Sequence, residues 1–335
     1  AAFHIDPGIE HDACGVGFIA ALDRVPSHHM TRLAVECLQR LDHRGARAAD
    51  GTGDGAGLLI QIPRRLIGRD LTGHRVDVPV ERIGVVMCFL PPMDAVISRA
   101  LITESLEAEG LRVLLWRSVP IDPSVLGEHA RAVLPLIEQA IVTGDVEGEE
   151  FERALYLARK GIEAEANPGL SIPSASSRTV VYKGLFTAGH IADFYWDLRD
   201  PDFETSFAIF HQRYSTNTFP SWENAQPFRA LAHNGEINTI QSNRSWMLAR
   251  EKGATPGVWG DRFEDLFPFL QPGISDSGSL DNAYELLLQS GRSLAHVKEL
   301  LIPAAWENVD VLDPRLCALH KYHAFHTEPW DGPAA

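Results

Sequence analysis

The sequence is short of the features that would commit a chain to a membrane, a nucleic acid or a metal cluster. No uninterrupted apolar run approaches the roughly 18 residues that a membrane span requires. The N-terminal AAFHIDPGIEHDA lacks the basic and apolar regions of a secretory signal, so a cytoplasmic location is the default expectation. Positive charge is scarce. With 30 Lys and Arg against 45 Asp and Glu, the formal charge is −15, which argues against the clustered basic surface that nucleic acids need. Cysteine is scarcer still. Cys14, Cys37, Cys88 and Cys317 form no CxxC pair, so neither a zinc ribbon nor a cysteine-held iron–sulfur cluster can be proposed from them. Disulfides are not expected in a reducing compartment. Internal repeats and low-complexity linkers are also missing.

What remains is a globular chain, 45% hydrophobic and 22% charged, read as one domain with a sizeable core. It starts at Ala1 without Met and stops at GPAA, and reads as a piece of something longer. Short apolar runs bounded by turn residues predict strands at 15–22, 57–62, 82–90, 111–118, 135–142, 178–184, 206–211 and 228–233. Helical spacing predicts helices at 27–41, with Ser27 as cap, and at 93–109, 148–166, 238–251, 278–291 and 293–302. NPGLSIPSASS (167–177) reads as a loop. GTGDGAG (51–57) is superficially like a phosphate loop, but lacks the GK[ST] ending and a following helix, so its glycines read as turn formers. This order of elements suits an α+β layered fold.

Cys37 and Cys88 fall in a helix and an apolar strand, where packing explains them. Cys14 is different, standing before a Gly-Val-Gly turn in HDACGVGFIA with thirteen residues in front of it. It is either one more buried small hydrophobe or, once those residues are removed, a terminal nucleophile.

Four stretches are too polar for core strands and too rich in Gly, Arg, Asn and Asp for ordinary surface loops. They are HRGA (43–46), HQRYSTNTFPSWENAQPFR (211–229), LAHNGEINT (231–239) and SDSGSLDNAYELL (275–287). With DACGVGFIA, TGDGAG and EPWDGPA, they resemble the glutamine amidotransferase domain of glutamate synthases, of the class II, N-terminal-nucleophile type. The resemblance runs from Cys14 to the last residue, and seven motifs in this order make it specific. It implies a four-layer αββα sandwich, incomplete at its C-terminal end, spanning 14–335 behind a propeptide, 1–13. One departure is LIPAAW (301–306), which has alanine where the family usually shows glutamate, in a structural segment.

The resemblance also implies roles. Cys14, freed by cleavage after Ala13, would attack the glutamine amide. Its thiol has an ordinary pKa near 8.5 and needs a base, and a free α-amino group at about 7.7–8.0 suits that task. An uncleaved Cys14 offers only an amide nitrogen, whose lone pair is delocalised. Asn234 and Gly235 of HNGE would form the oxyanion hole, although Asn-Gly alone reads as a type I′ hairpin turn. Arg213 would hold the substrate carboxylate and Asp276 its ammonium, with Thr216 and Arg44 assisting. His211 and His233 read as core or supporting histidines rather than zinc ligands, and the aromatics of FYWDL and EPWDGP as packing. No cofactor is expected in this chain. FMN, an iron–sulfur cluster, the synthase domains and an electron donor, nicotinamide or ferredoxin, belong to the rest of a full-length family protein. Two alternatives stand beside this reading: a non-catalytic glutamine-binding or scaffold module that keeps its leader, and another class II amidotransferase, such as a phosphoribosyl or sugar-phosphate transferase.

Overall fold

The computed structural model describes residues 15–214, 220–303, 313–324 and 329–330. In chain order its strands and helices are β1 (Gly15–Ala20), α1 (His28–Gln39), β2 (Ala56–Gln61), α2 (Arg64–Gly73), β3 (Ile83–Leu90), α3 (Ala95–Ala108), β4 (Leu111–Ser118), α4 (Glu128–Ala132) and β5 (Leu136–Gly144). There follow α5 (Gly148–Glu165), β6 (Ser171–Ser176), β7 (Thr179–Gly184), α6 (Ile191–Phe194), β8 (Phe207–Gln212), α7 (Ile240–Glu251), α8 (Asp276–Gln289), α9 (Leu294–Leu301) and α10 (Pro314–Ala324). The fold is therefore mixed α+β, with two antiparallel sheets of strand order β1-β8-β2-β7 and β4-β5-β3-β6.

β3 explains the layering of the second sheet. Its run IGVVMCFL is apolar without alternation because both faces are covered. Val85, Met87 and Phe89 join a core shared with Leu58, Ile60 and Tyr182 of the first sheet, while Val86, Cys88 and Leu90 pack beneath α3 and α5. Burying each such side chain contributes roughly 1.5–3 kcal/mol. Cys88 is wholly enclosed, and burial pushes its thiol well above the ordinary range. Cys37 and Cys317 are only half-buried. Ser27 caps α1 as expected, its Oγ accepting from the Met30 N–H at 3.3 Å.

Three departures from the sequence reading have physical causes. The 167–177 loop contains β6, an edge strand in which Pro173 is tolerated and the Ser174 Oγ accepts the Val181 N–H at 3.1 Å. α2 forms where no element is expected, burying Leu66, Ile67 and Leu71. The strand predicted at 228–233 does not form. Its backbone is claimed by side chains: the Ala230 N–H donates to Asp281 Oδ1 at 2.8 Å, and His233 pairs through both backbone groups with the Gln226 amide.

Aromatic packing brings this last segment into place. Trp222 is buried among Phe89, Phe186 and Phe194, edge-on to Phe89 at 5.9 Å. Phe194 and Tyr195 of FYWDL are buried too, whereas Trp196 is half exposed. Trp330 of EPWDGP packs with α8 and α9, its N–H donating to the Leu301 carbonyl at 2.8 Å. Among the described residues, no helix is long and apolar enough to cross a membrane.

Candidate active site

One end of the first sheet gathers the motifs. Gly15 opens β1 and pairs with Gln212, the last residue of β8, which pairs in turn with Ala56 at the start of β2. HQRYST, TGDGAG and the residue after Cys14 thus converge from three distant parts of the chain. Cys14 and Thr216 themselves lie outside the described residues.

Arg213 leaves β8 with φ 103°, in the left-handed region that a non-glycine residue rarely enters. Such a conformation costs on the order of 1–3 kcal/mol and persists only where surrounding contacts enforce it. Three do. The Arg213 N–H donates to the Gly55 carbonyl at 2.7 Å, and its carbonyl lies 2.9 Å from His211 Nδ1. Its Nε sits 3.3 Å from Asp54 Oδ2. A carbonyl can only accept, so His211 Nδ1 carries the proton.

Asp54, the acidic residue of TGDGAG, is buried, and burial raises its carboxyl pKa against the pull of the Ala46 N–H, Arg213 and Gln212. Gln212 uses its amide on both sides, donating to Asp54 Oδ1 at 3.0 Å and accepting from the Ala188 N–H at 2.7 Å. Gly45 of HRGA is required here by space. A Cβ at that position would stand 2.1 Å from Gln212 Nε2 and 3.2 Å from Asp54 Oδ1. The close turn leaves the preceding Arg44 exposed beside this cradle.

The Asn-Gly pair sits in no hairpin. Positive φ falls on Gly235, at 130°, and not on Asn234, so the type I′ alternative is discarded. Instead the short segment from His233 to Ile237 is fixed at both ends. His233 donates its N–H to Gln226 Oε1 at 2.8 Å and accepts from Gln226 Nε2 at 3.1 Å. The Ile237 N–H donates to Asp276 Oδ2 at 3.2 Å. Asn234 and Gly235 lie between these anchors, half-buried.

Asp276 is the first residue of α8, which starts two residues earlier than the sequence spacing predicts. Ser275 caps it, its Oγ accepting the Gly278 N–H at 3.0 Å. The carboxylate is buried at the positive end of the helix, and its Oδ1 accepts the Ser277 N–H at 2.6 Å and the Ser277 hydroxyl at 3.3 Å. His233 Nδ1 lies 3.1 Å from the same hydroxyl.

The two histidines therefore support other groups. His211 is buried and its pKa is pushed down to about 4, chiefly by desolvation, with the Arg213 and His233 backbones pulling the other way. Burial also lowers His233, against the pull of Asp276. Both rings are neutral near pH 7. Among the described residues, no group of three or more His, Cys, Asp and Glu side chains could hold a metal, and Cys37, Cys88 and Cys317 lie on separate elements. An iron–sulfur cluster does not fit the described residues.

Asp54, Gln212, Gln226 and Ser277 go unnoticed in the sequence reading. Their signal was present only as polar residues set inside the motifs without an assigned task.

Comparison with known proteins matches the chain, over residues 14–335, to the model of the class II glutamine amidotransferases. It is 44% identical to the large chain of the NADPH glutamate synthase of Azospirillum brasilense, over 98% of this chain and 22% of that protein. It is 42% identical to ferredoxin-dependent glutamate synthase 2 of Synechocystis, over 97% and 22%. With the large chain of the NADPH glutamate synthase of Bacillus subtilis it shares 40% identity, over 98% and 22%. The chain thus spans about a fifth of the length of these relatives.

Proposed function

The chain belongs to the class II glutamine amidotransferases, and from that membership we propose that it hydrolyses L-glutamine to L-glutamate and ammonia through a thioester on Cys14. The observation that carries the reading is a continuous path of contacts. It runs from Arg213 through His211 and His233 to Ser277 and Asp276, with Asn234 and Gly235 held along it. One cation and one anion at the ends of such a path match the carboxylate and ammonium of a free amino acid. Two hydrogen-bond donors between them match an oxyanion.

In this scheme cleavage after Ala13 gives Cys14 a free α-amino group, which takes the thiol proton. The thiolate attacks the γ-carbonyl carbon, and the oxyanion is held by the Asn234 side-chain amide and the Gly235 N–H. Losing one such donor typically costs about 2.7–4 kcal/mol of barrier lowering. The C–N bond breaks as the α-ammonium returns its proton to departing ammonia. Water then attacks the thioester and releases glutamate, restoring the thiol. Arg213 holds the substrate carboxylate and Asp276 its ammonium, with Thr216 and Arg44 assisting at either side. The two sheets would be the inner layers of a four-layer αββα sandwich. Ammonia would pass to a synthase site, with 2-oxoglutarate as acceptor, in sequence beyond this chain; FMN and an iron–sulfur cluster would belong there.

The test is glutamate and ammonia release by protein processed to begin at Cys14, beside Cys14→Ser. The variant is expected to lose roughly 10³-fold or more in kcat. Equal turnover would reject the nucleophile. A leader that persists in the mass spectrum of the natural protein would favour a glutamine-binding module instead.

A further inference from the structure

We propose that His233 is a positioning residue that ties the oxyanion segment to the residue holding the substrate's ammonium. This rests on the glutaminase reading and extends it to a group that reading does not use. The residues between His233 and Ile237 form a short arch, and both of its feet stand on the first two residues of α8. His233 Nδ1 meets Ser277 Oγ at 3.1 Å, and the Ile237 N–H meets Asp276 Oδ2 at 3.2 Å. Asp276 and Ser277 are themselves joined, through the Ser277 N–H at 2.6 Å and its hydroxyl at 3.3 Å. The ring of hydrogen bonds is closed, and Asn234 and Gly235 are its span.

Burial makes this ring rigid. His233, Asp276 and Ser277 are all buried, so water cannot replace a broken bond and each remaining polar group would be stranded. Asp276 Oδ1 can only accept, so the Ser277 hydroxyl gives its proton there and takes one from His233 Nδ1. The His233 ring must therefore be the Nδ1–H tautomer, a state its neutral form supplies. Without this foot the arch keeps only the Gln226 clamp on the His233 backbone, which fixes its root and not its lean toward α8. Misplacing a catalytic group by about 1 Å can cost on the order of 10²-fold in rate. Oxyanion donors act in the transition state, so the loss belongs in kcat.

The geometry sets a discriminating series. Asn places an amide N–H where His233 carries Nδ1–H; Gln places its amide one bond farther out; Ala has none. In glutamine hydrolysis by the processed protein, His233→Ala and His233→Gln are expected to lower kcat roughly 10- to 100-fold, with KM within about threefold. His233→Asn should recover most of the rate. Ser277→Ala, which removes the acceptor, should reproduce the His233→Ala defect, and the double variant should be no worse than either. Alkylation of Cys14 by iodoacetamide needs no oxyanion hole and should keep its wild-type rate in all of them. A full kcat in His233→Ala, or a Gln variant as active as the Asn variant, overturns the proposal, since side-chain volume alone would favour Gln. If His233→Ala does not fold, Ser277→Ala decides by the same criterion. Cys14→Ala in the same assay separates the two claims. Its turnover at the wild-type rate would sink the glutaminase reading, whereas an inert Cys14→Ala beside a normal His233→Ala sinks only this one.

Discussion

Arg213 shows how much of the site depends on single residues whose partners lie far away in sequence. Its strained backbone is tolerable because Gly55 and His211 satisfy its N–H and C=O, and its guanidinium is set by Asp54. Asp54 is in turn held by Gln212, 158 residues away. Asp54→Asn keeps the shape and the Oδ1 acceptor but removes the charge facing Arg213. A charge-assisted hydrogen bond of this kind contributes roughly 1.5–3 kcal/mol. We expect KM for glutamine to rise about tenfold or more, with a smaller change in kcat, in steady-state assays. A variant with unchanged KM would show that Asp54 does not orient the arginine. Asp54 also marks a limit of sequence reading. GTGDGAG announces a turn through its glycines, but a carboxylate's task is set by what it touches. The motif-bearing Arg213, Asn234, Gly235 and Asp276 were legible because their spacing matched a family, and their supports were not, because they act through contacts that no spacing encodes.

At the scale of elements the same contrast recurs. Strands with apolar runs, such as β3 and β5, and helices with caps and stripes, such as α1 and α5, were legible within about two residues, because a local pattern produces them. The segment from Gln226 to His233 was not. Its apolar residues suggest a strand, yet side chains from elsewhere satisfy its backbone. Arg229 is drawn away by Asp281 at 3.2 Å and Glu285 at 3.0 Å. α8 was mistaken at one end for a similar reason. Read as chemistry, SDS hides a helix start, with Ser275 as cap and Asp276 in the first turn. Ser275→Ala removes the acceptor for the Gly278 N–H, and cap losses cost about 1 kcal/mol. Because the unwound turn carries Asp276 and Ser277, the variant should lose kcat/KM as well as thermal stability. Calorimetry and kinetics on one preparation would check this, and a lowered melting point with full kcat/KM would separate the cap from the site.

For the molecule as a whole, burial of ionisable groups makes stability depend on pH in two separate windows. His211 is lowered from 6.5 to about 4, so between those values the unfolded chain binds a proton that the folded chain refuses. Stability therefore falls as pH drops from 6.5 toward 4. Lys183 supplies the second window. It projects from β7 beside a cavity of about 210 Å³, its Nζ 2.7 Å from the Glu223 carbonyl and 4.8 Å from the centre of the Phe228 ring. Desolvation, with Arg229 adding to it, lowers its pKa from 10.5 to about 7. Between those values the unfolded chain again holds the extra proton, so this group makes stability rise with pH from 7 toward 10.5. The overall charge of −15 works against that rise, since titrating the remaining cations adds to self-repulsion, and the two effects must be separated by difference. Lys183→Met keeps the stem that crosses the cavity wall and removes the titrating group. Urea unfolding of both proteins across this range should show the variant gaining less stability with pH than the wild type, the gap closing as pH approaches 10.5. Parallel curves would mean that the ammonium stays charged in its pocket, held by the Glu223 carbonyl and the Phe228 ring strongly enough to offset its burial.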